Sequence, residues 1–283
     1  MEYFSTNAFY LGVFISTVAS TTTLCYGLVC IIWKIKILEV SQFGDAWFSI
    51  FKDNIFGIDF KLGWLPFGSS VRPLGYLDDV EERNKINPSD IPNAVFSKPK
   101  YVKQLINFTP LLLYIVSFFV VINLSKFDLL ADTSTIFNFA WKTTKEIFYS
   151  NSHRAEFVLY AKSVLFGRNH ILFSFLVADI LFAAISIPTV LMNLLYASNK
   201  LSEKAKERLQ ILSFLPFMWL MFWEIPKFIF SLFGFTKSLI YLFSFTVGLF
   251  TLGLTFFFAI IFVIKNIEKN LDNNLKTNDE INL

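Results

Sequence analysis

Apolar positions are not scattered along this chain but collected into five long runs: Ala8 to Trp33, Leu105 to Leu124, Ile171 to Tyr196, roughly Ile211 to Phe233, and Leu239 to Ile264. An α-helix needs about 20 consecutive apolar residues to cross a bilayer core, so the runs predict five transmembrane helices. Pro216, Glu224, Pro226 and Lys227 interrupt the fourth, which reads either as a kinked span or as a shorter helix followed by an interfacial turn. Five crossings put the termini on opposite sides. The segment before the first run holds Glu2 and no Lys or Arg, so it lacks the basic start of a secretory signal, and the run is too long for one. It is expected to stay as the first helix.

The polar stretches between the runs predict the remaining parts. Residues 34 to 104 mix Gly, Pro, aromatics and charges, and the alternation Ile58-Asp59-Phe60-Lys61-Leu62 predicts short strands in hairpins lying against the membrane. Leu77 to Asp90 is the most polar stretch and reads as an exposed loop. Its acids Asp78, Asp79, Glu81 and Glu82 lack the Gly-centred pattern of a calcium loop and read as a solvated turn. From Thr135 to Phe166, Phe137, Trp141, Phe148, Phe157, Val164 and Leu165 recur at helical spacing among Lys and Glu, which predicts interfacial helices. The last 15 residues, rich in Asn, Lys and Glu, read as a disordered tail.

The resulting expectation is an all-α polytopic membrane protein with about five transmembrane helices and a small membrane-associated β-hairpin region after the first. Its parts are a first transmembrane helix (1–33), a cytoplasmic hairpin region (34–104), a second transmembrane helix (105–124), extracytoplasmic interfacial helices (125–170), transmembrane helices three to five (171–264) and a cytoplasmic tail (265–283).

Composition strengthens this picture. The chain is 54% hydrophobic and 17% charged with 36 Phe, far from a soluble globular domain. Phe243, Phe245, Phe250, Phe256, Phe257 and Phe258 in the last run read as lipid contacts. A net charge of +3 without long basic runs gives no support for nucleic-acid binding. Cys25 and Cys30 lie inside the first run as small hydrophobes, so neither a disulfide framework nor a Cys-based zinc site is expected. The hydroxyls of Ser16, Thr17, Ser20, Thr21, Thr22 and Thr23 read as packing and interhelical bonding groups. Basic residues close to span ends mark the cytoplasmic side. Lys34 and Lys36 follow the first run, Lys98, Lys100 and Lys103 precede the second, and Lys200, Lys204, Lys206 and Arg208 follow the third. This predicts an integral protein of the cell membrane (the inner membrane in a bacterium), N-terminus outside and C-terminus cytoplasmic, although Lys126 and Arg168 fall on the outside.

The segment Phe60-Lys61-Leu62-Gly63-Trp64-Leu65-Pro66-Phe67-Gly68-Ser69-Ser70-Val71-Arg72-Pro73-Leu74-Gly75 resembles the signature after the first span of site-2 proteases, the zinc-dependent intramembrane metalloproteases. Gly63, Pro66, Gly68, Val71, Arg72 and Gly75 fall on that family's pattern, with Ser69 in place of a second Gly. Phe96-Ser97-Lys98-Pro99 and Lys103 are similar to the family's basic stretch before the second helix. Thr109-Pro110 stands where the family has Gly-Pro, Leu113 where it has Asn, and Ile187-Pro188 where a Pro precedes its Leu-Asp-Gly motif. The resemblance covers roughly residues 10 to 210.

The family's chemistry needs two His at i and i+4 with a Glu between them, plus an Asp ligand on the third helix. The corresponding window, Thr23-Leu24-Cys25-Tyr26-Gly27, holds neither His nor Glu, and Leu191 stands at the Asp position. His153 and His170 are both placed outside. The resemblance therefore implies a pseudoprotease without metal, cofactor or catalysis. It also implies that the hairpin region binds an extended segment by strand addition, with Phe60, Leu62, Gly63, Trp64, Pro66, Gly68, Val71 and Arg72 as candidate partner-binding residues. The expected partners are the lipid bilayer and a membrane protein or its unwound segment. Two alternatives stand beside this reading: a structural subunit of a larger membrane complex, and a transporter using Asp179. Asp179 in the third run and Glu224 in the fourth are intramembrane acids, which mark functional positions by default. No internal repeat supports the transporter.

Overall fold

The computed structural model describes residues 3–45, 48–76, 86–125, 127–128, 130–149, 154–196 and 219–281. Asp78, Asp79, Glu81, Glu82, Lys126, His153, Lys200, Lys204, Lys206, Arg208 and Pro216, all part of the expectations above, lie outside the described residues. The chain is mostly helical with one small mixed sheet. Three helices among the described residues are long and apolar enough to cross a membrane: Thr6–Ile32, Lys100–Leu124 and Phe235–Asn266. The bent pair Ala155–Leu165 and His170–Ala184, at 116°, meets the same condition only when taken together.

The chain forms two units, Ala19–Ile106 with Leu249–Leu283, and Met1–Val18 with Asn107–Gly248. The first of these carries the sheet. Helix α1 (Thr6–Ile32) has no charged residue to stop it, and the backbone itself supplies the end. Lys34 takes a left-handed φ of 51°, which lets Lys34 N–H donate to the Ile31 carbonyl (3.0 Å) and Ile35 N–H to the Cys30 carbonyl (2.8 Å). These are the paired bonds of a Schellman cap, with a lysine where glycine is usual. The cap turns the chain directly into β1 (Ile37–Gly44), followed by β2 (Phe51–Ile55), β3 (Ile58–Leu62) and β4 (Leu65–Pro73).

The strand order is β2-β3-β1-β4. β2 and β3 form the one hairpin among the described strands, through Phe56 (φ 52°) and Gly57 (φ 75°), the two positive values a type I′ turn needs. β1 then pairs parallel with β3 and antiparallel with β4. This corrects the expected hairpin build for the glycine-rich stretch Gly63 to Gly75 within the region 34–104. That stretch holds the single strand β4, and β3 and β4 lie on opposite sides of β1, because the chain leaving β3 crosses the end of β1 before β4 begins. Gly63 makes the crossing possible: its N–H donates to the Gln42 carbonyl at 2.9 Å, and a Cβ there would stand 2.1 Å from the Gly44 carbonyl oxygen.

Alternation gives the sheet a polar and an apolar face. Asn54, Asp59, Glu39 and Arg72 form one row across all four strands, and Lys52, Lys61, Ser41 and Ser70 the next. On the apolar face, Phe60 and Leu62 pack with Phe43, Ile55, Phe257 and Ile261, so the final helix covers this side. A register shift around Phe43 (φ 66°, 4% exposed) turns its ring onto Phe250, centroids 4.8 Å apart. Ile37, Val40 and Val71 join Cys30, Ile35, Val95, Val102 and Ile106 in a second cluster.

The other unit is helical. The α2 helix (Lys100–Leu124), α3 (Ala131–Tyr149), α4 (Arg154–Leu165) and α5 (His170–Tyr196) share a core of Phe118, Ile122, Ile136, Ala140, Val164, Phe173, Leu176 and Val177. Asp128 caps α3 by accepting from the Leu130 and Ala131 N–H groups at 2.9 and 2.7 Å. Asn169 caps α5 in the same way, accepting from Ile171 and Leu172. Arg168 donates from Nε and an Nη to Asp132, which ties the α4–α5 turn to the start of α3. Helices therefore form where interfacial helices were expected. Of the fourth apolar run, the described part is a π-helical turn, Leu220–Glu224, and the nine-residue helix α6 (Ile225–Phe233). The last helix, α7 (Phe235–Ile281), runs on through the stretch expected to be disordered. Elongating an existing helix fixes one residue per hydrogen bond, without the nucleation cost that disfavours an isolated polar segment.

Candidate functional site

Strand β4 is an edge of the sheet, paired with β1 alone among the described residues. Edges expose unpaired backbone N–H and C=O groups and are usually blunted by proline, charge or a bulge. Here Pro66 and Pro73 stand near the two ends, and the residues between them, 67 to 72, carry no proline. Gly68 takes a φ of 75° and a Cβ there would touch nothing within 4 Å, so the glycine serves backbone shape and not close packing.

Hydroxyl contacts fasten the strand to the first helix. Ser69 Oγ donates to the Ala19 carbonyl at 3.1 Å, and Thr23 Oγ1 donates to Ser69 Oγ. Ser41 and Ser70 share a hydrogen bond of 2.7 Å across β1 and β4. Where the strands part at the register shift, Ser41, Phe43, Gly44, Asp45, Gly68, Ser69 and Ser70 line a cleft of about 210 Å³. That volume is below the few hundred cubic ångströms of an ordinary small-molecule pocket. Its acid, Asp45, already accepts from the Ser49 hydroxyl at 2.9 Å.

On the polar face, Lys61 Nζ lies 2.7 Å from Glu39 and an Arg72 Nη lies 3.8 Å from the same carboxylate. The Asn54 amide, then Lys52, hold the Asp59 carboxyl below its usual range. Arg72 keeps 60% of its side chain exposed, so β4 presents a cation beside the free edge.

The expected partner-binding residues divide into groups. Pro66, Gly68, Val71 and Arg72 lie together on β4, with the Pro66 side chain outside the described residues. Phe60 and Leu62 do not belong to the edge: both sit on β3, inside the sheet, 2% and 3% exposed. Their alternation with polar neighbours signalled a half-buried strand correctly, but alternation is blind to whether a strand is central or outermost. Gly63 is fixed by the crossing, and the Trp64 ring stacks on Phe48 at 6.0 Å. The stretches that carried the resemblance also meet in space. Gly75 leaves no room for a Cβ against Phe96, at 2.6 Å, while Lys98 Nζ donates to the carbonyls of Lys34 and Pro92 and so closes the end of α1. Ser69 and Thr23 were missed as site residues. Ser69 stood out only as a departure from the family pattern, and its link to α1 is 46 residues distant in sequence.

Asp179 and Glu224, the acids expected within apolar runs, belong to the helical unit. Glu224, 6% exposed, sits in the π-helical turn with Lys227 Nζ at 3.7 Å. Asp179 is 3% exposed and accepts from the Ser117 hydroxyl. Among the described residues no group of three or more His, Cys, Asp or Glu side chains is placed to hold a metal ion. Comparisons with protein-family models, with curated proteins and with solved structures find no match to this chain.

Proposed function

We propose that this chain is a non-catalytic membrane protein of site-2-protease-like build that binds an extended segment of a membrane partner by adding it as a strand to β4. The observation that carries the reading is the edge of β4, paired with β1 alone among the described residues and fastened beside α1 through Ser69 and Thr23. A transmembrane segment that unwinds must find partners for its backbone groups, and in an apolar setting an open strand edge supplies them. Arg72 favours a segment with an acidic residue near its end. Catalysis is not part of the proposal, because the positions at which the resemblance would place metal ligands and base hold Thr23 to Gly27 and Leu191. The proposed topology has five crossings with the N-terminus outside, the sheet cytoplasmic and the chain in the cell membrane.

A proline scan over residues 67 to 72 tests the proposal. N–H groups along an edge strand point alternately to the neighbouring strand and outward. Proline at inward positions should unfold the sheet. At outward positions it should leave protease resistance intact and abolish partner retention in mild-detergent pull-downs, while alanine at the same positions retains the partner. A scan in which every folded proline variant keeps its partner would show that the interaction lies elsewhere.

A further inference from the structure

Asp179 is the one charged side chain in α5 beyond its first residue, His170, which lies nine positions earlier, ~14 Å along the helix axis. Its carboxyl is almost wholly buried, and one oxygen, Oδ2, has no hydrogen-bond partner among the described residues. From α2, Ser117 donates its hydroxyl to the carboxyl, and Tyr114 lies within its electrostatic reach with its ring stacked on Phe182. The faces that α3 packs against α5 supply Ile136 and Ala140, and α1 supplies Phe14 against Phe175. None of these groups is a cation. Arg168 is engaged by Asp132 at the start of α3, and α1 from Thr6 to Ile32 and α2 beyond Lys103 contain no Lys, Arg or His. Among the described residues Glu224 has Lys227 for a cationic partner and Asp179 has no cationic partner.

A charged carboxylate enclosed in this way, with one hydroxyl donor and no counter-ion, would be severely under-solvated, whereas the neutral acid keeps the Ser117 bond and brings a proton for its own second oxygen. We propose that Asp179 is a proton-binding site between α2 and α5, occupied at neutral pH, whose emptying loosens the contact of those two helices. The ligand class is the proton. Ser117 positions the carboxyl, and Tyr114, within its electrostatic reach, carries a phenol able to relay a proton. The inference does not depend on strand addition at β4 and makes the bundle responsive to proton activity.

Infrared spectroscopy of the full-length protein in lipid nanodiscs, with and without ¹³C-labelled aspartate, tests it. At neutral pH the label should shift a protonated-carboxyl C=O band that is absent from Asp179→Asn and displaced, but still present, in Ser117→Ala. Raising the pH should bleach the band reversibly and, over the same interval, speed backbone hydrogen exchange in α2 and α5. No shifted acid band at neutral pH would overturn the proposal. So would a band that persists at every pH at which the helices remain folded, or one that sodium chloride removes at constant pH where potassium chloride does not, since that is a cation site. If Asp179→Asn fails to fold, the Ser117→Ala displacement decides: an acid band unmoved by loss of its hydroxyl donor is not Asp179.

Discussion

Glu39 and Asp179 carry the same functional group, yet their surroundings in the two units of the chain treat it in opposite ways. Glu39, 17% exposed on β1, has Lys61 at 2.7 Å and Arg72 at 3.8 Å. Asp179, more deeply buried on α5, has one serine hydroxyl and an oxygen without a partner among the described residues. Geometry explains the difference. A sheet brings side chains from successive strands to within about 5 Å of one another on one face, so a charge on β1 meets opposite charges on β3 and β4. The segments that pack around Asp179 carry almost no charge, so the acid there meets methyl groups, rings and hydroxyls. The sheet therefore tolerates ionised side chains, as does the start of α3 where Asp132 meets Arg168, whereas the surroundings of Asp179 tolerate an acid only as far as their hydroxyls can compensate.

The contrast is broken most severely by removing the apolar face on which the ionic one rests. Phe60→Ala empties a ring position 2% exposed beside Phe257. It should destabilise the protein by about 3–5 kcal/mol, read from denaturant titration in detergent. Next in size, Glu39→Ala should cost about 1–2 kcal/mol, because Lys61 keeps partial access to water and the loss falls between that of a buried and a surface pair. Combining it with Lys61→Ala should recover part of that loss; strict additivity of the two would show that the pair is not coupled.

Asp179→Asn should cost less than about 1 kcal/mol, because an amide reproduces the shape and hydrogen bonding of a neutral acid. A loss as large as that of Glu39→Ala would erase the distinction between the two carboxyls. The smallest effect belongs to Asp53 at the edge of the sheet, which Lys265 Nζ approaches to 2.5 Å. The hydrogen bond from Lys265 holds the Asp53 carboxyl below its usual range. Its native-state pKa therefore lies below the unfolded value of about 3.9, so the contribution is complete above that pH and lost as pH falls through the depressed native value. Thermal melts from pH 6 downward should show a slightly shallower decline for Asp53→Asn than for the parent, and identical curves would remove Asp53 from the account.

The same division governs what could be read from the sequence. The apolar runs placed α1, α2, α5 and the apolar half of α7 within a few residues, because a run of Phe, Leu, Ile and Val is a local signal that needs no knowledge of the rest of the chain. Of the sheet, only the stretch Ile58 to Leu62 was legible. Its turn is Phe56-Gly57, not the Asn-Gly that announces a type I′ hairpin, and the parallel pairing of β1 with β3 leaves no mark in either strand. Of the residues expected to bind a partner, Gly68 and Arg72 lie on the edge strand and Phe60 and Leu62 on a strand inside the sheet; which strand is outermost could not be read, since the neighbour of β4 is β1, at least 21 positions earlier. Asp179 was visible at once as an acid in an apolar run, but Ser117, which it meets in space, lies in another run, 62 positions away, beside Thr109 and Tyr114 with nothing to distinguish it.

The coverage of Phe60 and Leu62 by Phe257 and Ile261 has a consequence for how the chain is made. Some 190 residues separate Leu62 from the first α7 ring that reaches the sheet, Phe250, and a ribosome adding roughly 5–20 residues per second needs ~10–40 s to bridge them. Throughout that interval the newborn sheet offers a row of aromatic and aliphatic side chains to whatever is nearby, lipid headgroups, a chaperone or a neighbouring nascent chain. Ribosome-stalled chains ending before residue 249 should accordingly be more sensitive to protease within residues 37 to 73 than chains that have completed residue 265, so the time of birth, and not only the finished geometry, decides when this sheet is safe.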